Sequence, residues 1–171
     1  MMTTVFTVGH SNRGLDDFIR LLTAHGVEYL ADVRTVPRSR RNPQFNGDTL
    51  PDVLIAYGIT YQHFPGLGGW RKPRPDSPHR GLTSPGFRAY ADYMETPEFE
   101  RAVQALIDLA RRYRLAYMCA EALPWRCHRW LLSDALTVRG LQVEHILTPT
   151  RRQPHRLTPG VQVHGTNLTY A

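Results

Sequence analysis

A single α/β domain, built on a mostly parallel sheet of about five strands covered by helices, is the fold class this sequence predicts. Short apolar runs alternate with longer stretches of helical periodicity, and glycines and prolines punctuate the joins. At 171 residues, 42% of them apolar, the chain suffices for one substantial core and is too short for two comfortable domains. Alternating units of this length pair as parallel strands with crossover helices on the sheet faces.

The elements follow in order. Val5 to His10 is a short apolar strand, and Leu15, Phe18, Leu21 and Leu22 then share one helical face, with Gly26 placed to end the helix. A second strand runs through EYLADVRT, where Asp32 and Arg34 point to one side. After a basic loop comes a helix from about Thr49 to Tyr57, stopped by Gly58, and a third strand, ITYQHFP. The Gly- and Pro-rich segment from Pro65 to Pro85 is longer than an ordinary connection, which suggests a functional or disordered loop. Ser84-Pro85 and Thr96-Pro97-Glu98 read as caps of two successive helices, the first with Phe87, Tyr90, Ala91 and Met94 on its stripe, the second with Phe99, Val103, Leu106, Ile107 and Ala110. RLAYMCAE is a fourth strand, about Trp125 to Arg139 a helix ended by Gly140, and QVEHIL a fifth strand. The domain is expected over residues 1–147, with 148–171 a basic tail laid on the surface or mobile.

No run approaches the ~18 uninterrupted apolar residues of a membrane helix, and the start MMTTVFTVGHS lacks the features of a secretory leader. A cytoplasmic protein with no membrane partner is expected. Its two cysteines, eight positions apart, do not make a secreted disulfide framework, so both are read as reduced thiols. The formal charge of +6 favours an anionic partner, a small molecule or nucleic acid. Lys72 is the only lysine, and an arginine-rich genome would produce the same bias. Placement is more telling: Arg34, Arg38, Arg40, Arg41, Arg71, Lys72, Arg74 and Arg80 crowd the loops after the second and third strands.

In a parallel sheet, sites gather at the carboxyl ends of the strands. Those ends read His10-Ser11-Asn12, Asp32-Val33-Arg34, Gly66-Leu67-Gly68-Gly69-Trp70-Arg71, Cys119-Ala120-Glu121 and His145. The stretch CAEALPWRCHRW then places Cys127, His128 and Arg129 in a first helical turn, where free backbone N–H groups and the helix dipole lower a thiol pKa or bind an anion. Cys127 is equally readable as a buried spacer, four before Leu131 and eight before Ala135, and Cys119 as a buried strand residue. Glu121 is either an ion-pair partner for Arg126 or Arg129 or a general acid/base.

Familiar templates do not fit. Zinc deaminases carry a Pro-Cys-x-x-Cys that PWRC lacks. Against the Cys-x5-Arg loop of cysteine phosphatases, Cys119 to Arg126 is one residue too long and contains a proline. GLGG is neither a Walker loop nor a dinucleotide fingerprint. Zinc at Cys119, Cys127 and His128 has suitable ligand types, but adjacent Cys and His seldom both point at one ion, and no cofactor or metal is expected.

TVGHS, DVRTVPRSR, GITY, LGGWR, the FRAYADYM helix, MCAE, CHR and VEHIL, in that order over about residues 5 to 147, resemble the bacterial and archaeal family catalogued as domain of unknown function 488. The resemblance implies a compact α/β domain in which these motifs matter together, and it brings no chemistry with it. The residues expected to matter are therefore the rim residues: Glu121, His10, Cys127, His128 and Cys119 for catalysis, and Ser11, Asp32, Arg34, Ser39, Arg40, Gly68, Gly69, Arg71 and Arg129 for an anionic substrate. The leading expectation is an enzyme acting on a phosphate-bearing substrate, a nucleotide or nucleic acid, in a cleft at that edge. The alternative is a nucleic-acid-binding or regulatory module, in which the same arginines clamp phosphates while Trp70, Tyr61 and His63 stack on bases. Nothing in the sequence sets an oligomeric state.

Overall fold

The apolar runs form the strands of one sheet, as the alternation requires. In the computed structural model, which describes residues 2–171, the domain elements are β1 (Thr4–Gly9), α1 (Leu15–Ala24), β2 (Tyr29–Asp32), α2 (Leu50–Ile55), β3 (Thr60–His63), α3 (Pro85–Tyr93), α4 (Pro97–Arg112), β4 (Leu115–Cys119), α5 (Arg129–Val138) and β5 (Gln142–Thr148). The C-terminal stretch adds β6 (Arg151–Pro154), β7 (Gln162–His164) and β8 (Asn167–Thr169). The main sheet has six strands in the order β3-β2-β4-β1-β5-β6, parallel except for the last pair.

Both faces of the sheet are covered, which is why the central strands are apolar throughout. Phe6, Val8, Leu30, Ala116 and Met118 pack with Phe18, Leu22, Leu50 and Leu54 from α1 and α2 on one face. Val5, Ala31, Leu115 and Tyr117 pack on the other with Tyr90, Phe99, Val103, Leu106, Leu132 and Leu136 from α3, α4 and α5. The two predicted caps form: the Ser84 and Thr96 hydroxyls accept the N–H groups of Phe87 and Phe99. No helix of the described residues is long and apolar enough to cross a membrane.

Two expectations change. Residues 148–171, expected as a surface-laid or mobile tail, are tied into the domain. β6 extends the sheet, Leu168 and Tyr170 are buried in the core, and the Asp134 carboxylate on α5 accepts from His155, Thr158 and Tyr170. The last helix does not start near Trp125. Pro124–Arg126 make a separate 3-10 turn, Cys127 is extended (φ −133°, ψ 152°), and α5 begins at Arg129. The long loop is likewise held: Asp92 accepts from the Arg74 N–H (2.9 Å) and the Ser77 hydroxyl (2.7 Å).

Candidate active site

β4 is the topological switch of the sheet. It lies between β2 and β1, whose following helices pack on one face, whereas α5, which follows β4, packs on the other. Loops leaving adjacent strands in opposite directions open a crevice at the carboxyl edge. Here it is a cleft of about 410 Å³ lined by His10, Arg34, Arg38, Ser39, Gly69, Trp70, Phe87, Cys119, Glu121, Arg126, Cys127 and His128, among others. The crevice requires the loops to cross closely. A Cβ on Gly9 would overlap the Glu121 carbonyl, so only glycine lets the loop after β4 lie over β1. The next turn holds Ser11 at φ 50°, a left-handed conformation unusual for serine.

Arg34 forms one wall. Its Nε and Nη2 donate to Asp32 at 2.9 and 2.6 Å, Nη2 donates also to the Phe45 carbonyl at 2.7 Å, and Tyr61 adds its hydroxyl to the same carboxylate. Asp32 is fully buried under this pair and anchors the guanidinium rather than meeting a ligand. Nη1 remains, aimed at His10 Nε2 (3.3 Å). His10 stacks on Phe45 at 4.5 Å and donates Nδ1–H to the Ser11 carbonyl (2.7 Å), which leaves Nε2 as the acceptor. Burial pulls its pKa down to about 4, against the bond to Ser11, so the ring is a neutral base at pH 7.

The two thiols sit together on the floor. Cys127 Sγ donates to Cys119 Sγ at 2.8 Å, and Arg129 Nε donates to the same sulfur at 3.0 Å. Burial pushes the Cys119 thiol up, but the Cys127 S–H and the Arg129 guanidinium outweigh it and bring it from 9.0 down to about 6, which favours the thiolate form on this sulfur over Cys127. The same bond, together with burial, pushes Cys127 well above its ordinary value. Of the two readings the sequence leaves open for Cys127, reactive thiol or buried spacer, its burial and its bond to Cys119 favour a supporting role. The helix starts two residues later; its first N–H and guanidinium, those of Arg129, still pull the Cys127 thiol down, but the bond to Cys119 and burial outweigh them. His128 donates Nε2–H to the Val33 carbonyl (2.9 Å) and turns Nδ1 toward Cys127 Sγ at 3.4 Å. Burial lowers its pKa to about 4, which keeps that nitrogen a free acceptor.

Arg129 is nearly fully buried and does not line the cleft. Its remaining donors are satisfied by Thr7 Oγ1 (2.7 Å) and by the carbonyls of Glu121 (2.6 Å) and Ala122 (3.3 Å). It is therefore not a ligand for an external anion but the counter-ion of Cys119. Behind it runs a hydrogen-bonded chain that sequence reasoning missed: Thr7 Oγ1 to His145 Nδ1 (2.7 Å), His145 Nε2 to His155 Nδ1 (2.9 Å) and His155 Nε2 to Asp134 (2.7 Å). Because Asp134 only accepts, His155 and His145 each donate Nε2–H, and the chain runs unbroken from guanidinium to carboxylate. Burial, with His155 and Arg129 adding to it, lowers the His145 pKa to about 3. Thr7 and His145 were visible as polar residues in otherwise apolar strands, and they are direct register partners.

The other expected residues divide. Ser39, Gly69 and Glu121 line the cleft; Glu121 also accepts the Leu123 N–H at 3.3 Å. A Cβ on Gly69 would strike the His128 ring at 2.6 Å, so this glycine lets the loop close over that histidine. Gly68 is buried against Thr35, and Ser11 and Arg40 lie outside the lining. Arg71 packs over the Tyr93 ring at 3.6 Å and donates to the Gly68 and Pro65 carbonyls, holding the loop rather than facing the cleft. In their place the structure brings Arg38 and Arg126, which make no ion pair among the described residues, and Trp70, 75% exposed on the rim.

As a zinc site, the thiol floor is served by other groups. Arg129 supplies the positive charge at Cys119, and His128 Nδ1 faces a sulfur rather than a shared centre. Among the described residues, His79, Asp92 and Glu95 also bring potential metal ligands together. There Arg74 reaches Glu95 at 3.2 Å, and His79, whose Nδ1 accepts the Tyr170 N–H, donates Nε2–H to Glu95 at 3.0 Å. A cation and a proton already serve that carboxylate.

Fold and floor together define an α/β domain with a paired-cysteine floor and a basic rim at its switch strand. The chain belongs to the family described as Domain of unknown function DUF488, whose profile matches residues 14–136. No curated protein and no solved structure matches it.

Proposed function

We propose that this protein is an enzyme acting on a phosphate-bearing substrate, a nucleotide or nucleic acid, with the Cys119 thiolate as nucleophile. The observation that carries the reading is the Cys119 sulfur at the carboxyl end of the switch strand, contacted by Cys127 Sγ and Arg129 Nε and lining a cleft with Arg38 and Arg126, which make no ion pair among the described residues. An ionised, desolvated sulfur is a strong nucleophile. Unpaired arginines at a cleft mouth match the bidentate geometry of phosphate. Arg38, Arg126 and Arg34 Nη1 take the anion, and Trp70 offers a face for a base.

In the simplest balanced sequence, a sulfur lone pair forms a bond to phosphorus, the bond to the leaving oxygen breaks, and that oxygen takes a proton delivered through Glu121, a carboxylate lining the cleft. Water then attacks phosphorus, gives its proton to the same carboxylate, and breaks the sulfur–phosphorus bond, which restores the thiolate. The roles differ from the sequence expectation in that Arg129 and Asp32 support the site from below, and Cys127 serves Cys119.

The test compares the parent with Cys119→Ser on a panel of nucleotides and short oligonucleotides. Turnover should be lost while affinity stays within a few-fold. A Cys119→Ser protein that turns over as fast as the parent would sink the reading. The nucleic-acid-binding alternative is favoured by exposed Trp70 on the cleft rim with Arg38. It predicts tight binding with no turnover in either protein.

A further inference from the structure

We propose that Cys119 and Cys127 form a redox centre that a hydroperoxide converts to an intramolecular disulfide, with Cys119 as the attacking thiol, Cys127 as the resolving thiol and His128 as the base. From the functional reading it takes only that the Cys119 sulfur is an accessible thiolate, so it stands or falls separately from any phosphate chemistry.

The geometry argues for it in three ways. The sulfurs are already 2.8 Å apart, and a disulfide needs an approach to about 2.05 Å. The two cysteines lie on segments able to make that approach: Cys119 ends β4, and Cys127 sits extended between a short 3-10 turn and the start of α5. Both line the cleft, so a small oxidant reaches them. The third point is asymmetry. Arg129 touches Cys119 Sγ, whereas His128 Nδ1 faces Cys127 Sγ at 3.4 Å with its other nitrogen fixed on Val33. One sulfur is thus prepared to attack, and the other has an acceptor for its proton. Neither arrangement is needed for two thiols that merely fill a core.

The chemistry balances. A lone pair of the Cys119 thiolate attacks one peroxide oxygen, the O–O bond breaks, and hydroxide leaves, taking a proton from solvent to become water. The sulfur, oxidised by two electrons, now carries a hydroxyl as sulfenic acid. Cys127, its proton passed to His128 Nδ1, attacks the Cys119 sulfur and breaks the S–O bond. The departing hydroxide takes that proton as a second water. A dithiol reductant reverses the change by exchange through a mixed disulfide. Oxidation removes the thiolate from the cleft, so the same step silences any chemistry that depends on it.

The reduced full-length chain, treated with one equivalent of hydrogen peroxide at pH 7, should lose both thiols and the mass of two hydrogen atoms, remain a single chain, and regain both thiols with dithiothreitol. Cys127→Ala should stop at sulfenic acid, trapped by dimedone on Cys119. Cys127→Ser, nearly isosteric, provides the same readout should the alanine variant fold poorly. Persistence of both thiols in the folded parent under these conditions, or oxidation running to sulfinic acid on Cys119 with no disulfide, would overturn the proposal. So would disulfides formed only between chains. Alkylation of Cys119 in the same preparation reports the thiolate independently, so a failure of the redox step remains distinguishable from a failure of the nucleophile.

Discussion

Replacing Asp134 by alanine should release the C-terminal stretch from the domain. The Asp134 side chain is fully buried on α5 and accepts four hydrogen bonds: from His155 Nε2 at 2.7 Å, the Thr158 N–H at 3.2 Å, the Thr158 hydroxyl at 2.6 Å and the Tyr170 hydroxyl at 2.8 Å. A hydrogen bond to a charged acceptor contributes about 1.5–3 kcal/mol, so four at the lower end sum to about 6 kcal/mol. That is of the order of a small domain's whole stability, about 5–15 kcal/mol. Part returns as freed donors meet water when the stretch lifts off, which directs the damage to local opening. Even half the sum raises the open population by on the order of a hundredfold. Limited trypsin digestion reads this at Arg156, between two of the anchoring residues, where the variant should be cut far faster than the parent while the rest of the chain resists. Asp134→Asn, which keeps one carbonyl acceptor, should fall between. Equal cleavage at Arg156 in all three proteins, with equal denaturation midpoints, would refute the claim that this carboxylate anchors the tail.

Other predictions follow from the same contacts. Arg129→Lys should destabilise the fold by about 2–5 kcal/mol in chemical denaturation, because a lysine serves only part of the set formed by Cys119, Thr7 and the carbonyls of Glu121 and Ala122. Arg38→Lys should be near neutral for stability, and equal behaviour of the two would show that Arg129 is not a buried counter-ion. Thermal stability should fall steadily from about pH 8 to pH 4, below the range where the raised Cys127 thiol offsets Cys119. Folding depresses the Cys119 thiol to about 6, so its contribution is complete above about pH 9 and fades as pH falls through 6. The neutral His10, His128 and His145, with folded values of about 4, 4 and 3, resist protonation that the unfolded chain accepts below about 6.5, which acts in the same direction. A stability maximum near pH 5 would contradict this. Trp70→Ala should weaken nucleotide binding by about 1–3 kcal/mol by titration and leave inorganic phosphate unaffected, and equal losses for both ligands would exclude stacking.

Much of the fold was legible because its signals are local. Ser84 and Thr96 cap where their spacing from Phe87 and Phe99 said they would, and the apolar strands left few partners other than a parallel sheet. β6 was not legible. Its residues, Arg151 to Pro154, are all exposed on an edge, where pairing is by backbone alone and no apolar alternation is required. The site was legible as a set of rim residues but not as a set of roles. Arg129 and Arg126 are three positions apart with the same chemistry. One is locked beneath Cys119 and the other opens on the cleft, because the extended conformation at Cys127 separates a short turn from the helix. The contact between Cys127 and Cys119 belongs to that break too, and sequence periodicity carries it straight through.

The central claim is that Cys119, not Cys127, is the ionised thiol at neutral pH. It is tested most directly by alkylating the reduced protein with iodoacetamide across pH 4–9 and locating the label by mass spectrometry of the peptides. The account predicts that Cys119 is labelled first, with a rate that rises through a midpoint near 6, while Cys127 remains unlabelled until well above neutral pH. Labelling of Cys127 ahead of Cys119, or of both with the ordinary thiol midpoint of about 8.5, would contradict it.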